Sequence, residues 1–543
     1  MSTEATAAAT PVPITVGFAR KATGLVRQAS AFDVFIYNVN FINIAIGVAF
    51  IFLFIPAGAY PGSNVYLAIV LTTLAVIPTN LVYGMLASTM PRSGGEYVYV
   101  SRTLGPIWGL AANWNYTVWS FFYIGVPAAF LGKYGISSLM RTIGVYSGQP
   151  GLVNVGAFFA SPIGTFLAGT VLIVIFATLF IRGLNAYMRV QNVLFVIAML
   201  GMVAAVVAAL GANPAQFMGK FNSYFSSVTG HTDTARTITD SLGKKAPAAG
   251  PFDLHDTVAS MTWVFTVLGF GLASAYIGGE VKGANRAQVR GMLGSVLFSA
   301  ICMLILVAVV LRVMPYDFLG AVGAQDPTKT NLGFTPVFTE LISTLTNNWV
   351  LLILIGVGFC LWTYAWLPIY IITTTRNMLA WAFDGLLPSR IAGVDERFHS
   401  PVVAIVLSSA LGIVFLGVYS FVPNFATISG FFGQVWTYIL ASIAAIVLPF
   451  KLKDVFEGSP VRWRLGGVPV LAILGVLSIA GMGVIEYAYL NDPNSGISFS
   501  APTMLLVNVA VFLSGFVFYG IVKLVRSRQG VNVGLAFAEI PPE

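Results

Sequence analysis

Stretches without charged residues alternate with short polar segments along the whole chain. Ten windows contain no Lys, Arg, Asp or Glu. Each window is longer than the stretch of about 20 apolar residues that a helix needs to cross a bilayer. Windows 34–91 and 398–450 are long enough for two such helices each, with turns at 56–62 and 421–424. The pattern therefore predicts twelve membrane-spanning helices. They cover residues 34–55, 64–89, 106–132, 163–181, 187–210, 257–279, 288–311, 349–376, 401–419, 428–449, 468–489 and 501–524.

Composition narrows the class of protein. Of the 543 residues, 57% are hydrophobic and 9% are charged, whereas a soluble domain carries about 25% charged residues. This excludes a soluble enzyme, a disordered chain and a nucleic-acid-binding protein, and it indicates an all-α polytopic membrane protein embedded in the lipid bilayer. The two cysteines, Cys302 and Cys360, lie in apolar segments without neighbouring metal ligands, so we expect neither a metal site nor a cofactor.

The positions of Lys and Arg predict the orientation of the helices. If the N-terminus is cytoplasmic, 20 of the 28 Lys and Arg residues fall in cytoplasmic segments and 8 fall outside. Cytoplasmic loops carry this excess in membrane proteins. We therefore expect a multi-pass protein of the cell (plasma) membrane with both termini cytoplasmic.

The predicted helices divide the chain into six parts. They are a cytoplasmic tail (1–32), helices 1–5 (33–210), an extracellular loop (211–256), helices 6–10 (257–450), helices 11 and 12 (451–525) and a cytoplasmic tail (526–543). The loop at 211–256 is polar, and the loop at 313–348 contains a possible short amphipathic helix at 334–345. Each loop is either a solvated connector or a lid over the outer mouth.

Helices 1 and 6 carry signals of an interrupted helix near mid-span. In helix 1, Asn38, Asn40 and Asn43 are unfavourable in lipid and must face a polar interior, and Gly47 follows them. Helix 6 carries a Gly-Phe-Gly run at 269–271. Irregular backbone survives at membrane depth only where it lines a cavity or is covered by protein. Breaks at matching places of two helix sets are typical of an inverted repeat, and close packing through small residues is the alternative.

Such breaks suit a zwitterionic ligand. The amide N–H groups at a helix N-terminus attract a carboxylate, and carbonyl groups at a helix C-terminus attract an ammonium group. An α-amino acid presents both charges, so paired half-helix ends are able to bind it without a charged side chain. The candidate binding residues are Asn43, Ile46, Gly47, Val48 and Ala49 in helix 1, and Gly269, Phe270 and Gly271 in helix 6.

Three predicted cytoplasmic segments carry distinctive motifs. Helix 2 is followed by Pro91-Arg92-Ser93-Gly94-Gly95-Glu96-Tyr97-Val98-Tyr99, helix 6 by Glu280-Val281-Lys282-Gly283-Ala284-Asn285-Arg286, and helix 8 by Arg376 and then Asp384-Gly385-Leu386-Leu387-Pro388. Over about residues 30–450 the chain resembles permeases of the amino acid–polyamine–organocation (APC) superfamily. The resemblance implies a 5+5 inverted repeat with broken helices 1 and 6 plus two C-terminal helices. It also implies secondary transport of amino acids or related amines, with the substrate held between helices 1, 3, 6, 8 and 10.

Further candidates follow from the residues near these helices. Phe270 is the candidate outer gate, and Asn115, Tyr116, Trp366 and Tyr370 are candidate substrate contacts on helices 3 and 8. Asn113, Tyr116, Ser120 and Tyr123 share one face of helix 3. Arg92, Glu96, Arg102 and Glu280 are able to form a charge network at the cytoplasmic mouth, acting either as a gate or as a static turn.

The sequence leaves several functional alternatives open. H⁺ coupling, Na⁺ coupling and exchange are all compatible with it, because helix 6 carries no acid at its break and helix 5 carries no lysine. A polyamine or organic-acid transporter of the same fold and a transporter-derived nutrient sensor are the alternatives to an amino-acid transporter. A membrane enzyme is disfavoured, because the spans lack the His/Asp, Ser/Lys or paired Asp residues that such chemistry needs.

Overall fold

The computed structural model of the protein describes residues 25–55, 60–422, 425, 429–492, 494–500, 502–530 and 533–537. Parts of the predicted turns at 56–62 and 421–424, most of the N-terminal tail and part of the C-terminal tail therefore lie outside the described residues. The described chain is mostly helical, as the charge-free windows predict.

The α-helices follow one another with short connections. In chain order they are α1 (Ala31–Ile42), α2 (Ile44–Phe54), α3 (Val65–Thr89), α4 (Glu96–Thr103), α5 (Pro106–Phe130), α6 (Ser137–Ser147), α7 (Pro150–Ala160), α8 (Pro162–Ile181), α9 (Leu184–Leu210), α10 (Pro214–Thr229), α11 (Thr234–Leu242), α12 (Leu254–Leu268), α13 (Ala284–Val313), α14 (Tyr316–Ala324), α15 (Phe338–Ser343), α16 (Trp349–Thr363), α17 (Trp366–Phe383), α18 (Val402–Phe421), α19 (Phe431–Lys451), α20 (Lys453–Glu457), α21 (Val470–Asn491) and α22 (Thr503–Arg528).

Shorter elements connect these helices. A π-helix (Leu131–Ile136) joins α5 to α6, and 3₁₀ turns lie at Gly243–Lys245, Ala273–Tyr276, Gly278–Glu280, Ser389–Ala392 and Val533–Phe537. Strands β1 (Arg464–Leu465) and β2 (Val468–Pro469) pair antiparallel before α21. Gly466 and Gly467 form their turn with positive φ angles of 56° and 83°, which glycine adopts without a steric penalty.

Ten segments of the described chain are long and apolar enough to cross a membrane. They are α1 with α2, α3, α8, α9, α13, α16 with α17, α18, α19, α21 and α22. The two other predicted positions are occupied by α5 and α12. Helix α5 is less apolar because it buries polar side chains such as Asn113 and Asn115 inside the bundle, and α12 has only 15 residues because it is interrupted after Leu268. The number of twelve spans stays a prediction.

Three of the long helical segments are interrupted. The first breaks at Asn43 between α1 and α2, whereas the sequence pointed to the region around Gly47. Gly47 instead lies inside α2, where a Cβ atom would come within 2.7 Å of Val267, so its small size serves helix packing. The break after α12 begins at Gly269, as predicted.

The third interruption was not predicted. It separates α16 from α17 at residues 364–365. Pro368 explains it, because proline has no N–H for the carbonyl of residue 364 and its ring clashes with that carbonyl. The chain turns there with a tighter hydrogen bond, from Leu367 N to Tyr364 O at 2.9 Å.

The shorter helices α10, α14 and α15, between α9 and α16, pack against one another or against the bundle. Phe217, Phe221 and Phe225 of α10 are buried, and the rings of Phe217 and Phe221 contact Phe318 of α14 with centroids 5.8 and 4.9 Å apart. The predicted amphipathic segment at 334–345 contains the short helix α15, which the buried ion pair of Arg141 with Glu340 joins to α6 at 2.7 Å. The loop at 211–256 is largely helical, because it contains α10, α11 and a 3₁₀ turn.

Close packing of α9 against α16 gives a test of the fold. A Cβ atom on Gly201 would lie 2.4 Å from the carbonyl oxygen of Leu354 and 2.7 Å from Gly358 Cα. We expect Gly201→Ala to destabilise the protein by about 1–3 kcal/mol, because the backbones must move apart. Gly483→Ala is the matched control, because a Cβ atom there meets nothing within 4 Å. Thermal unfolding in detergent measures both, and equal melting temperatures would contradict this packing.

Candidate functional site

Two ends of the helix bundle must be distinguished. The near face is the end at which α1 begins, and it carries Glu280, whose backbone carbonyl accepts hydrogen bonds from Gln28 N at 2.8 Å and Ala29 N at 3.0 Å. The far face is the opposite end, at which α2 and α21 end, and it carries Tyr60 and Asp492, whose side chains are hydrogen-bonded.

The break in helix 1 is held open by a left-handed residue. Asn43 has φ 60° and ψ 71° and is buried, a conformation that asparagine adopts more readily than most residues. Its side-chain oxygen accepts from Ile46 N at 3.4 Å, and its Nδ2 donates to the carbonyl of Trp362 at 2.9 Å. Trp366 Nε1 in turn donates to the carbonyl of Phe41 at 2.6 Å. The breaks of the α1–α2 and α16–α17 segments therefore satisfy each other's backbone groups.

The break in helix 6 is tied to helix 1 in the same way. Asn38 donates to Ser274 Oγ at 3.0 Å and accepts from Ser274 N at 2.9 Å. Gln288 of α13 accepts from the same hydroxyl at 2.6 Å and donates to the carbonyl of Ser274 at 3.0 Å. This network fixes the 3₁₀ segment that continues helix 6 beyond its break.

Polar groups remain at the two breaks. The amides of Ile44 and Ala45 lie in the first turn of α2, where an α-helix supplies no acceptor for its N–H groups. Gly271 follows α12, and a Cβ atom there would lie 2.8 Å from Asn80 Oδ1. Within the described residues this buried oxygen of Asn80 has no hydrogen-bond partner. The breaks thus offer donors on one side and an acceptor on the other.

Aromatic rings from five helical segments meet beside the breaks. The ring of Phe41 contacts those of Phe270 and Tyr370, with centroids 5.1 and 4.9 Å apart. Tyr123 lies between Tyr370 and Phe431 at 5.6 and 4.7 Å, and Phe431 contacts Phe270 at 5.5 Å. These five residues are called the aromatic cluster below. They come from helices 1, 3, 6, 8 and 10, the set that the resemblance implies.

A cavity of about 430 Å³ extends from the aromatic cluster to the far face. Tyr123, Phe431 and Trp366 line its inner part, together with Phe50 of α2. Phe270, the predicted outer gate, is buried beneath Phe431. Phe431 therefore stands between Phe270 and the cavity, and the sequence did not single it out.

Two charged side chains line the far-face cavity. The carboxylate of Asp492 accepts hydrogen bonds from Tyr60 Oη, from Thr262 Oγ1 at 2.5 Å and from Asn494 N at 2.8 Å. Burial raises the pKa of Asp492, and the hydrogen bonds from Thr262 and Tyr60 oppose that rise. Lys133 lines the same cavity, with its ammonium group 5.4 Å from the ring centre of Tyr134.

The near face is closed by buried charge pairs. Arg376 binds Glu280 with two parallel hydrogen bonds of 2.6 and 2.8 Å. Arg102 binds Asp384 at 2.8 Å, and Tyr97 donates to the same carboxylate at 2.7 Å. The sequence grouped Glu280 with Arg92, Glu96 and Arg102 as a candidate charge network, and it did not single out Arg376 of α17, which binds Glu280 in the structure. Arg376 and Asp384 both belong to the motif after helix 8.

The C-terminal segment covers this charge cluster. The Phe537 ring lies 5.0 Å from the guanidinium of Arg102 and 6.2 Å from the ring of Tyr97. Arg526, in the last turn of α22, donates to the carbonyls of Gly385 and Leu387 at 2.6 and 3.0 Å. Three layers thus cover the near face: the charge pairs, the loop after α17 and the segment Val533–Phe537.

The other predicted residues have identifiable surroundings. Asn115 donates to the carbonyl of Gly433 at 2.7 Å and to Thr437 at 3.1 Å, so it joins α5 to α19 and does not reach the far-face cavity. The ring of Tyr116 stacks on that of Tyr276 at 5.1 Å, on the near side of the helix 6 break. Arg92 donates to the carbonyl of Pro91 at 3.0 Å. The candidates in the first turns of α2 are all buried: Ile46, Gly47, Val48 and Ala49.

Together these features define a multi-pass membrane protein whose interrupted helices meet inside the bundle. The chain matches the family described as amino acid permease over residues 32–517. The branched-chain amino acid permease BcaP of Bacillus subtilis is 24% identical over 83% of this chain and 86% of that relative. BcaP of Lactococcus lactis is 20% identical, over 66% and 71%, and an uncharacterized transporter of Mycobacterium tuberculosis is 23% identical, over 78% and 80%. The chain belongs to the amino acid permease family of the APC superfamily, and it is a transporter and not an enzyme.

Two substitutions at Asn43 separate its backbone and side-chain roles. Asn43→Gly keeps the left-handed backbone and loses the hydrogen bond to Trp362, so we expect it to cost about 0.5–1.5 kcal/mol. Asn43→Ala also loses this hydrogen bond, and alanine is strained in the left-handed conformation. We expect that strain to cost a further amount of stability, about 1–2 kcal/mol. Thermal unfolding in detergent ranks the variants, and an alanine variant as stable as the glycine variant would show that the left-handed conformation is not required.

The near-face ion pairs give a second prediction. Glu280→Gln leaves Arg376 buried without a counter-charge, so we expect a loss of about 3–5 kcal/mol of stability. Glu457→Gln is the control, because the pair of Glu457 with Arg464 is about half exposed and such pairs contribute about 1 kcal/mol or less. Melting temperatures of the two variants test this, and similar losses in both would contradict the buried pairing.

Proposed function

We propose that the protein is a secondary transporter that moves amino acids across the cell membrane by alternating access. The observation that carries the proposal is the meeting of the helix 1 and helix 6 breaks beside the aromatic cluster. We propose twelve spans, with α5 and α12 as the third and sixth, arranged as two inverted five-helix sets plus two C-terminal helices. The near face is cytoplasmic in this proposal, in agreement with its excess of Lys and Arg.

The two breaks supply complementary contacts for an α-amino acid. The amides of Ile44 and Ala45, at the positive end of α2, are suited to the carboxylate. The carbonyls at the end of α12 and Asn80 Oδ1 are suited to the ammonium group, which donates three hydrogen bonds. A Cβ atom at Gly269 or Gly271 would collide with a neighbour, so these glycines allow close packing around the helix 6 break.

The surroundings of the breaks favour an apolar substrate side chain. The aromatic cluster presents ring faces and edges, and Trp366 and Phe50 extend this apolar surface into the far-face cavity. Burial of an aliphatic side chain there contributes roughly 1.5–3 kcal/mol. Two relatives are named branched-chain amino acid permeases, and we propose the same class of substrate here.

The contrast between the two faces supports alternating access in this proposal. The near face is closed by Arg102, Asp384, Arg376 and Glu280, whereas the far-face cavity reaches the aromatic cluster. In the proposed cycle a substrate enters from the far face, Phe431 and Phe270 close above it, and the near-face pairs then separate. This assigns Phe431 the outer gating role together with Phe270.

Ligand-dependent thermal stability tests the proposed substrate class. A ligand at 100 times its dissociation constant stabilises a protein by about 2.7 kcal/mol. We expect leucine, isoleucine and valine to raise the melting temperature of the purified protein in a concentration-dependent manner, and putrescine and acetate to leave it unchanged. A shift with polyamines alone would contradict the carboxylate role of α2. The absence of any shift, together with the absence of amino-acid exchange in proteoliposomes, would contradict the proposed function.

A variant of the aromatic cluster locates the site. We expect Phe270→Ala to remove most of the stabilisation by leucine, because the ring closes the site between Phe41 and Phe431. Phe450→Ala is the matched control, because Phe450 lies on α19 with 58% of its surface exposed. Equal leucine responses in the two variants would place the site elsewhere.

A further inference from the structure

Three buried carboxylates lie at the near face, and they have different partners. Glu280 and Asp384 each bind an arginine, at 2.6 and 2.8 Å. Glu96, in the first turn of α4, is fully buried and accepts a hydrogen bond from the neutral amide of Asn113 at 2.7 Å. The neutral hydroxyls of Tyr276 and Tyr83 also act on its carboxylate. Glu96 therefore lacks the compensation that the other two carboxylates possess.

Within the described residues, the side chains that act on Glu96 are neutral: Asn113 and Tyr116 of α5, Tyr83 of α3, Tyr276 of the 3₁₀ segment and Tyr438 of α19. Tyr99 of α4 contacts Tyr83, and Trp381 of α17 donates to Asn113. The tyrosine rings are in mutual contact, with centroids 5.1 to 6.5 Å apart. Burial raises the pKa of Glu96 to about 7, although Asn113 and the hydroxyls of Tyr276 and Tyr83 oppose the rise.

Glu96 is also linked to the part of helix 6 that continues beyond the break. Gly94 N donates to the carbonyl of Tyr276 at 3.1 Å, and Ser93 and Ile277 form an antiparallel bridge. A Cβ atom on Gly95 would lie 2.7 Å from the Tyr276 ring. Movement of the segment around Tyr276 away from Glu96 must therefore break these backbone contacts.

We infer that Glu96 is a proton-binding site whose loading is coupled to the opening of the near face. While the near face is closed, the carboxylate takes one proton, which in this proposal enters from the far face, and stays neutral, because an isolated charge is costly to bury. When the segment around Tyr276 moves away, water reaches the carboxyl group, the ionised form becomes favourable and the same proton leaves at the near face. The inference rests on the proposed function, and it makes H⁺ the coupling ion.

The decisive experiment separates exchange from proton-driven accumulation in proteoliposomes. Counterflow of radiolabelled leucine measures substrate movement without net proton movement, and an imposed pH gradient measures coupling. For the wild-type protein we expect both activities. For Glu96→Gln we expect counterflow within about twofold of wild type and loss of gradient-driven accumulation. Glu486→Gln is the control, because Glu486 is a carboxylate that is partly buried and lies on α21 rather than at the near face.

The outcomes distinguish this inference from the proposed function. Gradient-driven accumulation by Glu96→Gln at the wild-type level would overturn the inference. So would its loss in Glu486→Gln alone, or wild-type counterflow without any response to a pH gradient. Wild-type protein that shows neither leucine binding nor counterflow would instead contradict the proposed function.

The pH dependence of stability tests proton binding without transport. A carboxyl group whose pKa is higher in the folded than in the unfolded state stabilises the fold fully below the unfolded pKa, and this stabilisation is lost as pH rises through the folded pKa. We therefore expect the melting temperature of wild type to fall relative to Glu96→Gln between about pH 4.5 and 7. A difference between the two proteins that is independent of pH would overturn the inference, even if Glu96→Gln loses all transport.

Discussion

The fold depends on the way in which interrupted helices satisfy each other's backbone. A broken helix inside a bilayer exposes amides and carbonyls that lipid does not solvate. Here the left-handed Asn43 opens helix 1 and donates to the carbonyl of Trp362, while Trp366 donates to the carbonyl of Phe41. In helix 6, Ser274 N donates to the side-chain oxygen of Asn38, whose Nδ2 donates to the Ser274 hydroxyl. Each break therefore contributes to the stability of the others, and together they place the proposed ligand-binding groups at the centre of the bundle.

Charge is arranged differently at the two faces. At the near face, Arg376 and Arg102 neutralise Glu280 and Asp384 in buried pairs that hold α17 against helix 6 and α4. At the far face, Asp492 is held by hydroxyl and amide groups beside an open cavity. Glu96 resembles Asp492 in its neutral partners but lies at the near face. A carboxylate without a cation responds to the access of water, whereas a paired carboxylate responds to the separation of its arginine.

The sequence predicted those features that depend on the bilayer. Charge-free windows located the long helices within four residues at each end, apart from the ends of helices 6 and 8. The three asparagines and the Gly-Phe-Gly run identified the two broken helices. The sequence placed the first break near Gly47 instead of at Asn43. Either residue type is able to adopt the left-handed backbone of a break, and the sequence does not show which of the two does so. The sequence did not predict the charge partners, the position of Phe431 or the acceptor oxygen of Asn80, because these depend on which helices meet in space. Pro368 in helix 8 and Asn80 in helix 2 were the local signals for what was missed.

The position of Phe537 ties the end of the chain to the closure of the near face. Its ring lies on the guanidinium of Arg102, and Arg526 holds the loop after α17. Separation of α4 from α17 must also break these contacts, so their strength adds to the barrier for near-face opening in the proposed cycle. The transport rate in that cycle is then adjustable through the segment Val533–Phe537, without any change to the proposed ligand-binding residues. Tags or fused domains attached at this end would alter turnover for the same reason.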